Sequence, residues 1–161
     1  MSSSQVVSDT SGHELLIVVV GFNSRSWLAS CFKSLEASSL EPKLIFIDNA
    51  STDGSVELMQ RCFPAVEIFR NRKNVGFASA SNMGLRRAVA LGIPYVGLVN
   101  PDTQTLPQTL LRIVEFLKTH RAYGIVGPIQ VRYGYLHESP IEKHLKPRSA
   151  IKGIAASPFR F

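Results

Sequence analysis

The sequence predicts an α/β domain built on a mostly parallel sheet, and three observations carry that prediction. Short apolar, β-branched runs alternate with segments whose apolar residues recur at helical spacing. A polar cluster follows each of the first four runs, as a strand opening into a loop requires. The resulting βαβαβαβαβ order favours parallel pairing through right-handed crossovers.

Leu15 to Val20 is a continuous apolar run, expected of a strand buried on both faces. Trp27, Leu28, Cys31, Phe32 and Leu35 then predict a first helix with an apolar stripe. Leu44 to Ile47 gives the second strand. Val56, Met59, Cys62 and Phe63 mark a second helix that stops before Pro64. Val66 to Phe69 alternates as a third strand. The third helix is expected from about Gly76 to Leu91, with Gly92 at its C-terminal cap. Tyr95 to Val99 is the fourth strand. Pro107 suits a first helical turn, and Leu110, Leu111, Val114 and Leu117 give the stripe of the helix that follows. Ile125-Val126 and Ile129 to Val131 predict a final strand, interrupted by Gly127-Pro128.

A chain of 161 residues holds one domain with a proper core. Apolar residues make up 45% and charged residues 19%, as in a globular protein rather than a disordered one. Net charge is +6 with a sequence pI near 9.6, which suits an anionic partner without choosing among nucleotide phosphates, nucleic acid and an acidic membrane surface. Much of the excess sits late, in Lys143, Lys146, Arg148, Lys152 and Arg160, where a solvated tail explains it better than a binding patch. Cys31 and Cys62 both fall on predicted apolar helix faces, so buried, reduced thiols are expected. The longest apolar run is far short of the ~20 residues of a spanning helix, and residues 1–13 carry no secretory signal. These features support a cytoplasmic protein, with room for peripheral association at the inner face of a membrane through partners. The expected organisation is a disordered start over 1–13, a domain over 14–132 and a basic, irregular tail over 133–161.

In open parallel sheets ligands bind beyond the carboxyl ends of the strands, near a switch in strand order. The clusters there are Gly21-Phe22-Asn23-Ser24, Asp48 to Ser55, Arg70 to Phe77, and Asn100-Pro101-Asp102-Thr103. Asp48 could accept from a base N–H or a ribose hydroxyl, or close an Asx-type turn, with Asp53 or Ser55 the better helix cap. Asn74 and Gly76 open a helix whose free N–H groups form an anion site, and Gly76 presents no side chain to block a phosphate or sugar. Arg70, Arg72 and Lys73 either help neutralise a diphosphate or form a solvated face. Asn82, two turns beyond Asn74, could share a face with it or simply sit on a surface helix. Asp102 suits a hard divalent cation that also takes diphosphate oxygens, and Asn-Pro-Asp suits a type I turn equally well.

Taken together, these motifs resemble the family 2 glycosyltransferases, especially the rhamnosyltransferase-like branch that builds bacterial surface polysaccharides. The stretches that carry the resemblance are Val18 to Ser24, Leu28 to Leu35, Ile47 to Ser55, Asn74 to Gly84, Leu98 to Thr103 and Gly124 to Pro128, in order and at family-like spacing over roughly residues 14–131. The resemblance implies a GT-A domain, in which Phe22, Asn23 and Asp48 hold base and ribose and Asn82 lines the donor pocket. Asn100-Pro101-Asp102 stands where the family carries its metal-binding DXD motif, with Asp102 as the metal carboxylate and Asn100 in place of the first aspartate. A divalent cation, Mg or Mn, is the implied cofactor. The implied partners are a UDP- or dTDP-sugar donor and a saccharide or lipid-linked acceptor.

Complete members of that family continue into an acceptor-binding half that carries the general base. Nothing after Arg132 resembles it, and Glu138 and Glu142 lack its context, so no catalytic base is named. The chain is expected to be the donor-binding part of a transferase, weak or inactive in transfer, or else a non-catalytic nucleotide-sugar-binding module. A dinucleotide oxidoreductase is disfavoured because Gly21 to Ser26 lacks G-x-G-x-x-G. Specific nucleic-acid binding lacks a recognition motif, and His13, His120, His137 and His144 lack metal-ligand spacing.

Overall fold

The computed structural model describes residues 12–130. Within them β1 (Leu15–Gly21), α1 (Arg25–Glu36), β2 (Lys43–Asp48), α2 (Ser55–Cys62), β3 (Glu67–Arg70), α3 (Phe77–Leu91), β4 (Tyr95–Val99) and α4 (Thr109–Thr119) follow in turn. The strands of the described residues form one parallel sheet in the order β3-β2-β1-β4. The chain steps outward from β1 to β3, and α3 then carries it back past β1 to β4. That reversal puts a switch in strand order between β1 and β4.

Because crossovers keep one hand, reversing direction also changes face. Leu16, Val18, Val20, Ile45 and Ile47 pack with Ala80 and Ala88 of α3. On the other parity, Phe46 meets Phe32 of α1 edge-on, with ring centroids 6.1 Å apart, and Phe32 in turn meets Phe63 at 5.5 Å. Covered on both faces and flanked by two strands, β1 is buried along its whole length, which is why its sequence shows no alternation. A side chain at Gly84 would run into Val18, so this glycine lets α3 lie close on the sheet. Gly92 ends α3 in the left-handed conformation, as the sequence predicts.

Packing divides the chain after Leu110. In the second unit, Phe116 and His120 stack at 4.1 Å with Tyr123 tilted against them, closing the end of α4.

Five expectations need correction. Trp27 is 56% exposed rather than part of the core stripe, because at helical spacing it falls on the flank of the stripe that Leu28, Cys31, Phe32 and Leu35 bury. Cys62, the last residue of α2, is exposed, and only Cys31 is buried. Pro107 lies in a turn ahead of α4 and not in its first helical turn. Asn74 precedes α3, so it does not share a helical face with Asn82. The final strand does not form over its described part: residues 124–130 carry no strand, and Ile125 and Ile129 are 59% and 50% exposed. Val131, the rest of the C-terminal tail with Glu138 and Glu142, and residues 1–11 of the expected disordered start lie outside the described residues.

The two thiols should therefore behave differently. Burial, and then the negative charge of Asp102, pushes the Cys31 thiol up to about 12, and a thiol that stays protonated is a poor nucleophile. At pH ~8, a disulfide-exchange reagent should modify one cysteine of the native chain, Cys62, and both after unfolding. Rapid modification of both in the native chain would contradict this packing.

Candidate functional site

All four strands point the same way, so the loops after β1, β2, β3 and β4 emerge on one edge of the sheet. There they are tied to one another by side-chain-to-backbone hydrogen bonds. Asn23, held at a positive φ of 50°, donates its N–H to Ser51 Oγ at 2.9 Å and accepts at Oδ1 from the Thr52 N–H at 2.9 Å. Ser24 donates its N–H to Ser55 Oγ at 3.2 Å. Asp53 accepts from the Arg25 N–H at 2.9 Å and from both the N–H and hydroxyl of Ser55, so one carboxylate joins the starts of α1 and α2. Partial burial pushes the Asp53 carboxyl up, but these hydrogen bonds together outweigh it and leave the group below its ordinary value. The N-cap position of α2 itself falls to Gly54.

Asn49 is the second joint. It is 3% exposed and its backbone N–H reaches the Gly21 carbonyl at 2.8 Å. Its Oδ1 accepts from Asn71 Nδ2 at 3.1 Å and from the Val75 N–H at 3.0 Å, while its Nδ2 donates to Asn74 Oδ1 at 2.7 Å. Asn74 Oδ1 also takes the Gly76 N–H at 2.9 Å. The next residue, Ala50, sits at a φ of 70°, a strained choice for a side chain with a Cβ that the surrounding bonds enforce. Sequence reasoning placed Asn49 in the right cluster but gave it no role. A buried amide that binds three residues of another loop leaves no local signal in a polar segment.

Each predicted site residue can now be located. Asp48 is fully buried at the end of β2, accepting the Ser51 N–H at 3.2 and 3.3 Å, with Arg70 Nε at 3.8 Å. That is the Asx-type turn the sequence allowed, and the exposed Arg70 lies over a carboxylate with no surface of its own. Phe22 is exposed in the loop after β1. Gly76 combines φ 82° with ψ 160°, a conformation open to glycine, and faces open space where a Cβ would stand. No side chain caps α3, and the N–H groups of Phe77, Ala78 and Ser79, ahead of the first helical bond from Ala80 to the Gly76 carbonyl, have no intrahelical acceptor. Asn82 is exposed on the second turn of α3. Asn100 and Asp102 are exposed in a turn closed by the Thr103 N–H on the Asn100 carbonyl at 3.1 Å. Among the described residues the side chains of Asn82, Asn100 and Asp102 make no hydrogen bond, which leaves them free for a ligand.

The loop carrying Asp102 is fixed from below. The Cys31 thiol donates to the Asn100 carbonyl at 3.7 Å, Thr105 donates its N–H to Ser34 Oγ at 3.0 Å, and Ser39 donates its N–H to the Pro107 carbonyl at 2.9 Å. Among the described residues no three His, Cys, Asp or Glu side chains gather into a metal-binding group. A cation here would rest on Asp102 and on oxygens supplied by a ligand and water.

The model of the family described as Glycosyl transferase family 2 matches residues 16–156. The chain belongs to that family. Among curated relatives, the family 2 chain is 27% identical over 122 residues to EpsE of Bacillus subtilis (strain 168), described as a glycosyltransferase, covering 73% of this chain and 43% of EpsE. Among solved structures it is similar to S. aureus TarS 1-349 in complex with UDP, with a TM-score of 0.62, 19% identity and coverage of 74% of this chain and 36% of TarS 1-349. It is also similar to the mannosyltransferase PcManGT from Pyrobaculum calidifontis in complex with GDP-Man and Mn2+, with a TM-score of 0.64, 19% identity and coverage of 73% and 36%. The chain thus spans less than half the length of these relatives. Both structural likenesses establish the nucleotide-sugar-transferase fold expected from the sequence. No helix among the described residues is long and apolar enough to cross a membrane.

If Asn49 is the joint, Asn49→Ala should cost about 2–4 kcal/mol of unfolding free energy, since it strands three hydrogen-bond partners at once. Urea unfolding measures it, and Asn49→Asp, which sets a buried carboxylate oxygen against Asn74 Oδ1, should not recover the loss. A deficit under ~0.5 kcal/mol, the size of an ordinary surface substitution, would show that the loops hold together without the amide.

Proposed function

We propose that this chain binds a nucleotide-diphospho-sugar together with a divalent cation, as the donor-binding part of an inverting glycosyltransferase. The observation that supports it most is a contrast within one sheet edge. Asn23, Asp48, Asn49, Asp53 and Asn74 are committed to holding the loops, while Asn82, Asn100 and Asp102 present uncommitted polar groups at the same edge. Family membership and the UDP, UDP-GlcNAc and GDP-Man named with the similar structures agree with this class of ligand.

In this reading Phe22, Asn23 and Asp48 shape the base and ribose end, and donor binding displaces Arg70 from above Asp48. Gly76 and the uncapped turn of α3 face the anionic part of the donor, with Asn74 setting the shape of that turn and Asn82 reaching the ribose or sugar. Asp102 holds the cation, helped by the neutral Asn100. A lone carboxylate on an exposed turn fits Mg2+ or Mn2+, which takes its remaining oxygens from phosphate and water. When bound, the cation stabilises charge accumulating on the leaving diphosphate. The proposed donor is a UDP- or dTDP-sugar, as in the rhamnosyltransferase-like branch, and the proposed acceptor is a saccharide or lipid-linked saccharide of a surface polysaccharide. The proposed setting is cytoplasmic, at the inner face of the membrane.

A non-catalytic nucleotide-sugar-binding module is the second reading. It is favoured by the loops themselves: apart from the buried Asp48 and the tied Asp53, Asp102 is the one carboxylate they offer among the described residues. Transfer needs a further base on the acceptor side.

Thermal unfolding with Mg2+ or Mn2+ across UDP-, GDP- and dTDP-sugars tests the shared part of both readings. Ligand at one hundred times Kd adds about 2.7 kcal/mol, a rise on the order of 5–10 °C for a domain of this size. Chelation and Asp102→Ala should each remove the metal-dependent part of that rise. An unchanged rise in the variant, with and without chelator, would refute the role of Asp102.

A further inference from the structure

Trp27 is the only tryptophan of the chain, and it is 56% exposed although the apolar residues that follow it in α1, Leu28, Cys31, Phe32 and Leu35, are all buried. Its place in the helix is informative. Cys31, four residues on and on the same flank of α1, touches the Asn100 carbonyl at 3.7 Å, and Ser34, another turn down, holds Thr105. That flank of α1 therefore runs along the loop after β4. Helix geometry puts Trp27 one turn, about 5.4 Å, nearer the start of α1 than Cys31, on the flank that faces the loop carrying Asp102 and toward the edge where the strands end.

We infer that Trp27 is a sugar-stacking residue, its indole offering a flat apolar face to a pyranose ring bound beside Asp102. The inference rests on the nucleotide-sugar reading of the site and adds the contact that recognises the sugar rather than the nucleotide. Chemistry favours the match. One face of a pyranose presents C–H groups carrying partial positive charge, the indole face carries the negative side of its quadrupole, and the indole N–H remains available to a hydroxyl. An exposed indole is also preorganised, with two side-chain torsions to fix, so little ordering entropy opposes the contact. The pyranose belongs either to the donor or to the acceptor, and both would stack by the same chemistry.

Because no other tryptophan is present, the fluorescence of the full chain reads out Trp27 directly. The chain with Mg2+ is titrated with UDP, GDP and dTDP, then with UDP-GlcNAc, GDP-mannose and dTDP-rhamnose, then with an N-acetylglucosamine, mannose or rhamnose oligosaccharide alone. Binding of the same probes is measured calorimetrically for Trp27→Ala and Trp27→Tyr. The inference predicts quenchable, water-exposed emission in the free chain, and an emission change with at least one sugar-bearing probe that its bare nucleotide does not produce. A response to the nucleotide-sugars assigns the contact to the donor sugar, and a response to the oligosaccharide assigns it to the acceptor. Trp27→Ala should weaken that probe about tenfold while leaving nucleotide affinity within about twofold, and Trp27→Tyr should recover most of the loss. Equal weakening of UDP and UDP-GlcNAc would overturn the stacking role and leave the nucleotide reading intact. An unchanged emission with every sugar-bearing probe, or a blue shift on anionic phospholipid vesicles alone, would overturn it as well. If none of UDP, GDP and dTDP bound the native chain, the donor-site reading itself would fall.

Discussion

The side chain of Asn49 is the constraint on which the rest of the site depends. An amide buried at the end of β2 cannot be left unpaired without a desolvation cost of a few kcal/mol, so its neighbours must come to it. They do so from the loop after β3, through Asn71, Asn74 and Val75, while the backbone N–H of Asn49 holds the Gly21 carbonyl at the end of β1. Loops are normally the most adaptable parts of a domain. Here the loop after β3 is shaped by one residue, the loops after β1 and β2 are joined by Asn23, Ser24 and Asp53, and the positive φ of Ala50 shows local backbone preference yielding to these bonds.

Division of labour follows from this arrangement. Polar residues at the sheet edge are of two kinds, and burial separates them. Asp48 and Asn49 lie inside and serve the scaffold, and the partly buried Asp53 joins two helix starts with hydrogen bonds strong enough to favour its ionised form. Asn82, Asn100 and Asp102 lie outside, on a helix and a turn fixed from beneath by contacts such as Cys31 to Asn100. A ligand arriving at this edge meets groups that need no rearrangement of the sheet, which lowers the cost of binding. The exception is Arg70, exposed and set over Asp48 at 3.8 Å, a distance at which a mobile guanidinium is held loosely.

Much of the fold was legible because the core of a parallel sheet writes itself into short apolar runs. Tyr95 to Val99 was read residue for residue, and β1, β2 and β3 to within a residue at an end. The failures share a physical cause. Trp27 and Cys62 satisfy helical periodicity, yet periodicity describes a face and not its margins: Trp27 flanks the buried stripe of α1, and Cys62 is the last residue of α2. Ile125, Val126 and Ile129 have the composition of a strand, but a strand also needs a partner, and the described part of that segment has none. At the site, the cluster positions were visible and the roles within them were not. Asp48, Asn49 and Asn74 are all polar loop residues on paper, and only the burial of two of them and the bonds among all three tell scaffold from binding surface.

One measurement bears on the central claim directly: paramagnetic broadening of backbone amide signals by Mn2+ in the presence of UDP. A single cation beside Asp102, with the diphosphate over the uncapped start of α3, predicts strong and saturable broadening at Asn100 to Thr103 and at Gly76 to Ser79, and none without nucleotide at the same low Mn2+ concentration. Broadening that centres on other residues, or that spreads evenly over exposed carboxylates whether or not UDP is present, would contradict a common pocket at this edge.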